Sequence, residues 1–184
     1  MEDKRKSEDI KILFSAEEIN LRVSELAVDI SKKVAKDIMV ISLLKGSFVF
    51  AADLIRALHS NGVQPQVDFM TLSSYGNNMT SSGKVEIIRD IVEDVKGRDV
   101  LIIDDIFESG NTLAFAANLI KERQARDVKI AIMLQKIGKA TAKVKADFVG
   151  FEIDDKFVVG YGLDYANYYR ELPYIGFISR ADEG

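Results

Sequence analysis

The sequence predicts an α/β domain with a mostly parallel central sheet that is flanked by helices. Short apolar runs rich in β-branched residues alternate along the chain with longer segments of helical spacing, which is the order typical of an α/β fold. The apolar runs contain few polar residues, as expected of strands that are buried on both faces. The chain has 184 residues, of which 47% are hydrophobic, and this predicts one domain across residues 1–184 with a substantial core.

The first predicted element is a helix within residues 15–37. Ser15 and Glu18 have the spacing of a capping box, which marks a helix start. Apolar residues then recur at helical intervals at Ile19, Val23, Leu26, Ile30 and Val34. Residues 1–10 are mostly charged or polar, and we expect a frayed tail there.

Strands and a helix follow toward the middle of the chain. Residues 38–44 and 63–76 predict strands, and residues 48–62 between them predict a helix. Residues 84–92 predict a strand that pairs with the preceding one as a hairpin. The connection, residues 76–83, consists of small and polar residues bounded by glycine, and its length favours a functional loop over a simple turn.

The second half of the chain repeats the alternation around one central strand. Residues 99–106 predict that strand, residues 111–127 a helix and residues 128–136 the next strand. Three short strands are predicted at residues 146–153, 156–165 and 174–179.

The composition excludes several classes of function. The net charge of −4 does not attract nucleic acid or anionic lipid, so neither is an expected partner. The chain contains no cysteine and one histidine, His59, in a predicted helix, which argues against disulfides, thiolate metal sites and a Ser-His-Asp triad. There is no phosphate-binding GxxxxGK[ST] motif. The N-terminal segment is charged and no apolar run approaches the ~18 residues of a membrane span, so we expect a cytoplasmic location.

Residues 100–112, VLIIDDIFESGNT, are the most informative stretch. Residues 100–103 form the buried strand, and Asp104 and Asp105 follow at its carboxyl end, where open parallel sheets bind ligands. Ser109, Gly110 and Thr112 then lead into a helix, whose first N–H groups favour an anion. Glycine lets the backbone approach that anion closely. The run predicts a phosphate cradle, although it contains no lysine.

The carboxylates need a different partner, because they repel a phosphate. They can accept hydrogen bonds from the hydroxyl groups of a sugar, or hold Mg²⁺, which prefers oxygen ligands and phosphates. The ordinary alternative is a capped helix that follows solvated acids. The combination of both features in one run favours a ligand with phosphate, ribose hydroxyls and Mg²⁺.

The same run resembles the phosphoribosyl-diphosphate (PRPP) binding motif of purine and pyrimidine phosphoribosyltransferases. The segments SLLKGSFVFAADL, SSYG and KADFVGFEIDDKFVVGYGLDYANYYRELPYIGFIS resemble hypoxanthine(-guanine) phosphoribosyltransferases in particular. The resemblance implies the type I phosphoribosyltransferase fold, with a small hood formed by N- and C-terminal segments. It also implies a reaction in which N9 of hypoxanthine or guanine attacks C1′ of PRPP, giving IMP or GMP and pyrophosphate.

The resemblance assigns the sugar-phosphate end to one part of the chain. Asp104 and Asp105 match the acid pair that serves the ribose hydroxyls and the Mg²⁺ environment. The loop that grips the 5′-phosphate matches Glu108, Ser109, Gly110, Asn111 and Thr112. Glu108 also matches the general base near purine N7, which is usually an aspartate in the family. Its longer side chain leaves the contact and the pKa of the base open.

Other matches concern the pyrophosphate and the purine. Lys45 and Gly46 match the pyrophosphate loop, in which the peptide bond before the lysine can be cis, although a solvated lysine after a strand is the ordinary interpretation. Asp164 matches a Mg²⁺ ligand and Arg170 a pyrophosphate contact. Three residues match purine contacts. Lys136 matches the donor to O6, Phe157 matches the ring that stacks on the base, and Val158 matches a further contact.

The mobile loop that closes over the reaction matches Ser74 and Tyr75. The expected partners are PRPP, the purine base, the nucleotide product and pyrophosphate, and the family implies a dimer or tetramer. A regulator of the same fold that binds PRPP or nucleotides is the alternative function. The choice between hypoxanthine and guanine, and the use of xanthine, are left open by the sequence.

Overall fold

The computed structural model describes residues 9–74 and 85–179. The helices are α1 (Ala16–Ser31), α2 (Phe48–Ser60) and α3 (Asn111–Glu122). The strands are β1 (Asp9–Phe14), β2 (Met39–Leu44), β3 (Gln66–Ser74), β4 (Val85–Arg89), β5 (Asp99–Phe107), β6 (Asp127–Lys136), β7 (Phe148–Ile153), β8 (Val158–Val159) and β9 (Ile175–Ser179).

The larger sheet has six strands in the order β4-β3-β2-β5-β6-β7. All neighbouring pairs are parallel except β3 and β4, which form the predicted antiparallel pair at one edge. The strand β5 lies between β2 and β6, so the prediction of a central strand within a mostly parallel sheet is confirmed.

Helices cover both faces of this sheet. Residues Leu101 and Ile103 of β5 pack in the same cluster as the buried residues of α1 and α2. Their neighbour Ile102 packs on the opposite face, with Leu113 and Ile120 of α3. Because successive side chains of a strand point to opposite faces, an uninterrupted apolar run is what this three-layer arrangement requires.

A second, antiparallel sheet has the order β1-β9-β8 and joins the N-terminal segment to the C-terminal one. It is the small hood that the family resemblance implied. The prediction of a frayed tail across residues 1–10 was wrong for Asp9 and Ile10, which begin β1 and pair with Ser179 and Ile178. Residues 1–8 lie outside the described part of the chain.

The capping box at the start of α1 is confirmed. The backbone N–H of Ser15 donates to Glu18 Oε2 at 2.7 Å, and the N–H of Glu18 donates to Ser15 Oγ at 3.2 Å. Further along α1, the Arg22 guanidinium donates to the backbone carbonyls of Val149 and Gly150 at 2.8 and 2.7 Å. It thereby covers β7, the outermost strand on that side of the sheet.

Two sequence boundaries need correction. The strand predicted at residues 156–165 is reduced to β8, because Gly160, Tyr161 and Gly162 all have positive φ values of 93°, 51° and 98° and turn the chain. The acids Asp104 and Asp105 lie within β5 and not beyond its end.

Among the described residues, no helix is long and apolar enough to cross a membrane.

Candidate active site

The carboxyl ends of β2, β5 and β6 meet at one edge of the large sheet. After β2 the chain crosses to β3 on one side, and after β5 it crosses to β6 on the other. The two crossover helices, α2 and α3, lie on opposite faces. This divergence opens a crevice between β2 and β5, the position at which open α/β sheets bind ligands.

The turn from β5 into α3 forms one wall of a cavity of about 460 Å³. Gly110 precedes α3 with a φ of 81°, in the left-handed region, and an added Cβ there would lie 2.7 Å from the Phe107 ring. The lining residues include Asp104, Asp105, Glu108, Ser109, Gly110, Thr112 and Lys139. The structure therefore brings most of the predicted sugar-phosphate set together. Asn111 begins α3 and is not among the lining residues.

Asp104 and Asp105 form a carboxylate pair with little solvent contact. Only 9% of Asp104 is exposed. Burial raises the pKa of Asp104 well above its usual value, and the neighbouring charge of Asp105 raises it further. Burial also raises the pKa of Asp105, although hydrogen bonds from Asp104 and Ile106 N–H and the charge of Arg170 oppose this shift. Such a pair is stabilised by hydroxyl donors or a cation.

The loop after β2 packs directly against this pair. An added Cβ on Gly46 would overlap the Asp105 carboxylate, so no other residue fits there without displacing it. The Leu44–Lys45 peptide bond is cis without a proline, as the family resemblance implied. Lys45 is exposed, and its carbonyl accepts the Phe48 N–H at 3.2 Å.

The segment after β8 reaches the same loop. The Gly162 Cα lies so close to the Gly46 carbonyl that a Cβ would overlap it. Arg170 donates to the Gly162 carbonyl at 2.6 Å and pairs with Asp164 at 2.6 Å, while Asp164 also accepts the Asn167 N–H at 2.7 Å. The structure therefore gathers the predicted residues Gly46, Asp164 and Arg170.

Lys136 is held at the carboxyl end of β6 between two carboxylates. Its Nζ donates to Glu108 Oε1 at 3.2 Å and to Asp155 Oδ1 at 3.1 Å. Only 10% of the Lys136 side chain is exposed, against 54% for Glu108. The second oxygen of Asp155 pairs with Lys139 Nζ at 2.5 Å. Hydrogen bonds from Lys139 and Lys136, followed by their charges, keep the pKa of Asp155 below its usual value.

The ring of Phe157 lies two residues beyond Asp155. It is 54% exposed and makes an edge-to-face contact with Tyr165, with ring centroids 5.6 Å apart. The sequence alone suggests a core residue at this position, and the exposure of such a large apolar ring shows that it is not. Val158 is buried and pairs with Phe177 across the small sheet.

Two predicted residues cannot be placed in the site. Ser74 is the last residue of β3, and Tyr75 lies outside the described residues. Two further residues, Asp155 and Lys139, contact the site without having been predicted. Their contacts join segments that are distant in the chain, so no local pattern marks them. Within residues 9–74 and 85–179, no group of three or more Asp, Glu, His or Cys side chains forms a ready-made metal site.

Comparison with known proteins agrees with this geometry. Residues 9–166 match the family model described as the phosphoribosyl transferase domain. The open parallel sheet, the anion cradle at the end of β5 and this match together define the class of protein, a phosphoribosyltransferase.

The relatives are more specific. The hypoxanthine-guanine phosphoribosyltransferase of Bacillus subtilis is 47% identical over 172 residues, covering 93% of this chain and 94% of that protein. The hypoxanthine phosphoribosyltransferase of Escherichia coli K12 is 41% identical over 177 residues, covering 95% and 98%. A solved hypoxanthine phosphoribosyltransferase of Staphylococcus aureus superposes with a TM-score of 0.86 at 38% identity, covering 92% and 91%. The chain belongs to the hypoxanthine(-guanine) phosphoribosyltransferase family.

Proposed function

We propose that this enzyme transfers the 5-phosphoribosyl group of PRPP to N9 of hypoxanthine, and also of guanine, and releases pyrophosphate. The observation that carries the substrate assignment is the nearly buried ammonium group of Lys136, held beside the cavity through Glu108 and Asp155. Lysine can only donate hydrogen bonds. A fixed donor at the base end of a sugar-phosphate cradle selects a purine with a carbonyl at position 6.

The base binds between Lys136 and Phe157 in this proposal. The exposed Phe157 ring stacks on the purine, the backbone of Val158 meets its edge, and Lys136 donates to O6. Adenine carries an amino group at that position, so it would leave the Lys136 donor without an acceptor. Sites built around such a donor reject the mismatched substrate strongly.

The sugar-phosphate end is bound by the β5–α3 turn. The N–H groups at the start of α3 and the hydroxyls of Ser109 and Thr112 hold the 5′-phosphate. Asp104 and Asp105 accept hydrogen bonds from the ribose hydroxyls. This division keeps the two carboxylates away from the phosphate, and it supplies the donors that a buried acid pair needs.

The residues present also fit Mg²⁺ that is bound together with PRPP. Mg²⁺ is usually held by one or two carboxylates, water and substrate phosphates. In the described part of the chain no three acidic side chains are arranged to hold an ion by themselves, which is compatible with that arrangement. Asp164 and the Asp104–Asp105 pair would hold the ion, which would supply positive charge to the leaving pyrophosphate. Lys45, the backbone at Gly46 and Arg170 bind the pyrophosphate itself.

Glu108 accepts the proton that leaves N7 of the base. Its Oε1 already receives a hydrogen bond from Lys136, and a carboxylate has a second oxygen that can take a proton. The lid role of Ser74 and Tyr75 stays a prediction, because Tyr75 lies outside the described residues. A closing lid excludes water, which would otherwise hydrolyse the activated sugar.

We further propose that the enzyme is cytoplasmic and forms a dimer or tetramer. Support for an oligomer comes from a Trypanosoma cruzi hypoxanthine phosphoribosyltransferase studied for the role of its C-terminal region in oligomeric state. That structure has a TM-score of 0.87 and 36% identity, and covers 97% of this chain and 95% of its own. Sedimentation of the purified protein would decide between the two states.

The substrate assignment is tested by a direct assay. Purified protein is incubated with PRPP and Mg²⁺ together with hypoxanthine, guanine, xanthine or adenine, and pyrophosphate release is measured. We expect release with hypoxanthine and guanine and none with adenine. Binding of PRPP without turnover of any 6-oxopurine would instead support the regulatory alternative.

A further inference from the structure

The cavity at the end of β5 needs more positive charge to bind its proposed phosphate ligand than the β5–α3 turn supplies. A phosphate monoester carries a charge of about −1.5 to −2 at neutral pH, and Asp104, Asp105 and Glu108 also line the cavity. The start of α3 supplies only about half a positive charge. The β5–α3 turn itself contains no basic residue, so a basic side chain that contacts the phosphate would have to come from another part of the chain.

Lys139 is the one basic residue among the described residues that line this cavity. It lies in the segment after β6, and 44% of its side chain is exposed. Its Nζ contacts Asp155 Oδ2 at 2.5 Å. An ammonium group has three donors, so this contact leaves donors for a phosphate without breaking the pair.

The backbone around Lys139 is fastened to the phosphate turn. The N–H groups of Thr141 and Ala142 both donate to the Ser109 carbonyl at 3.0 Å, and Gly138 turns the chain with a φ of 74°. The segment therefore has a fixed position beside Ser109. Asp155 contacts both Lys136 at the base end of the site and Lys139 at the phosphate end.

We infer that Lys139 binds the 5′-phosphate of PRPP and of the nucleotide product, and completes the cradle formed by the β5–α3 turn. This inference rests on the proposed function, since it names the ligand of the same cavity. Asp155 positions the ammonium group in the free enzyme. When the nucleotide is bound, Lys139 keeps its contact with Asp155 and donates its remaining hydrogen bonds to phosphate oxygens.

The test compares a ligand that carries the phosphate with one that lacks it. Dissociation constants for inosine 5′-monophosphate and for inosine are measured by calorimetry or competition, together with the KM values for PRPP and hypoxanthine. Lys139→Met removes the charge at similar size, and Lys139→Arg retains it. Lys143→Met is the matched control, because Lys143 is exposed in the same segment and lines a different cavity.

We expect Lys139→Met to weaken binding of inosine 5′-monophosphate about tenfold and to raise the KM for PRPP about tenfold. Loss of one hydrogen bond from a charged group has an effect of this size. Binding of inosine and the KM for hypoxanthine should stay within about twofold in Lys139→Met, as should every value for Lys143→Met. Lys139→Arg retains the charge and should recover most of the monophosphate affinity that Lys139→Met loses. The inference would be overturned if Lys139→Met weakened the binding of inosine and of its monophosphate equally, or changed the dissociation constant of neither. Failure of the wild-type enzyme to form nucleotide would instead refute the proposed function, and the comparison of the two ligands would still decide the role of Lys139.

Discussion

The two sides of the crevice are built in different ways. Apart from Lys139, the phosphate side is one contiguous strand, turn and helix, residues 99–122, and the register of the central sheet positions its strand side chains. The opposite side, residues 157–170, consists mainly of turns held by contacts with distant residues such as Asp53 and Gly46. Substitutions on the phosphate side should therefore change catalysis with little effect on the unfolding free energy. On the opposite side, a substitution that changes one of these quantities should also change the other.

The largest expected effect is that of Gly162→Ala. Gly162 has a φ of 98°, and a Cβ would overlap the Gly46 carbonyl. Left-handed strain of about 1–2 kcal/mol and overpacking of about 1–3 kcal/mol together predict a loss of about 2–5 kcal/mol in unfolding free energy. Denaturant unfolding measures it. The control is Gly62→Ala, where φ is 79° but nothing lies within 4 Å of the added Cβ, so only the strain should appear. Equal losses in both variants would show that the contact with Gly46 is unimportant.

The next effect tests the phosphate side. Glu108→Gln should lower kcat by about 10²-fold or more, the low end for general acid–base catalysis, while PRPP binding is retained. Because 54% of the Glu108 side chain is exposed, the melting temperature should change little. Steady-state kinetics and PRPP titration measure the two quantities, and near-normal turnover would remove Glu108 from the proposed proton transfer.

A third substitution examines the sheet away from the crevice, where stability should change without activity. Burial opposes ionisation of Asp68, but N–H groups of Glu93, Phe69 and Val92 and the charge of Arg89 lower its pKa overall. The Asp68 carboxylate therefore contributes stability above the unfolded-state pKa of 3.8, and this contribution is lost as pH falls through the lower folded-state pKa.

Asp68→Asn should accordingly reduce the unfolding free energy by about 1–3 kcal/mol at pH 7, and by clearly less at pH 3. Urea titrations at the two pH values measure the difference. The kcat of the folded variant should equal that of the wild type. A loss of stability that is independent of pH would show that the ionised form of Asp68 has no special role.

The smallest effect is expected for Tyr161→Phe. The Tyr161 hydroxyl donates to Asp53 Oδ2 at 2.7 Å. Burial is the larger cause that raises the pKa of the phenol, and the hydrogen bond to the Asp53 carboxylate is the second. Loss of one hydrogen bond predicts about 1 kcal/mol of destabilisation. Since Tyr161 precedes Gly162 and anchors it to α2, we also expect a KM for PRPP that rises about two- to fivefold at nearly unchanged kcat. An unchanged KM would separate this anchor from the site.

The same contrast explains how much the sequence could predict. The strand and helix around Asp104 and Gly110 follow from local periodicity and from the needs of a helix start. The pairing of Asp9 with Ser179 and the contact of Lys139 with Asp155 depend on residues far apart in the chain. Local pattern does not encode such pairings, and for that reason β1 and the basic residue of the cavity were both missed.

The contact between Arg22 and β7 has a consequence beyond the active site. An outermost strand presents backbone groups that can pair with a strand of another molecule, and such edges lead to aggregation. The Arg22 guanidinium occupies two carbonyl acceptors of β7 and also pairs with Glu25. A single side chain of α1 thereby engages backbone acceptors of this edge strand, which disfavours pairing with a strand of another molecule.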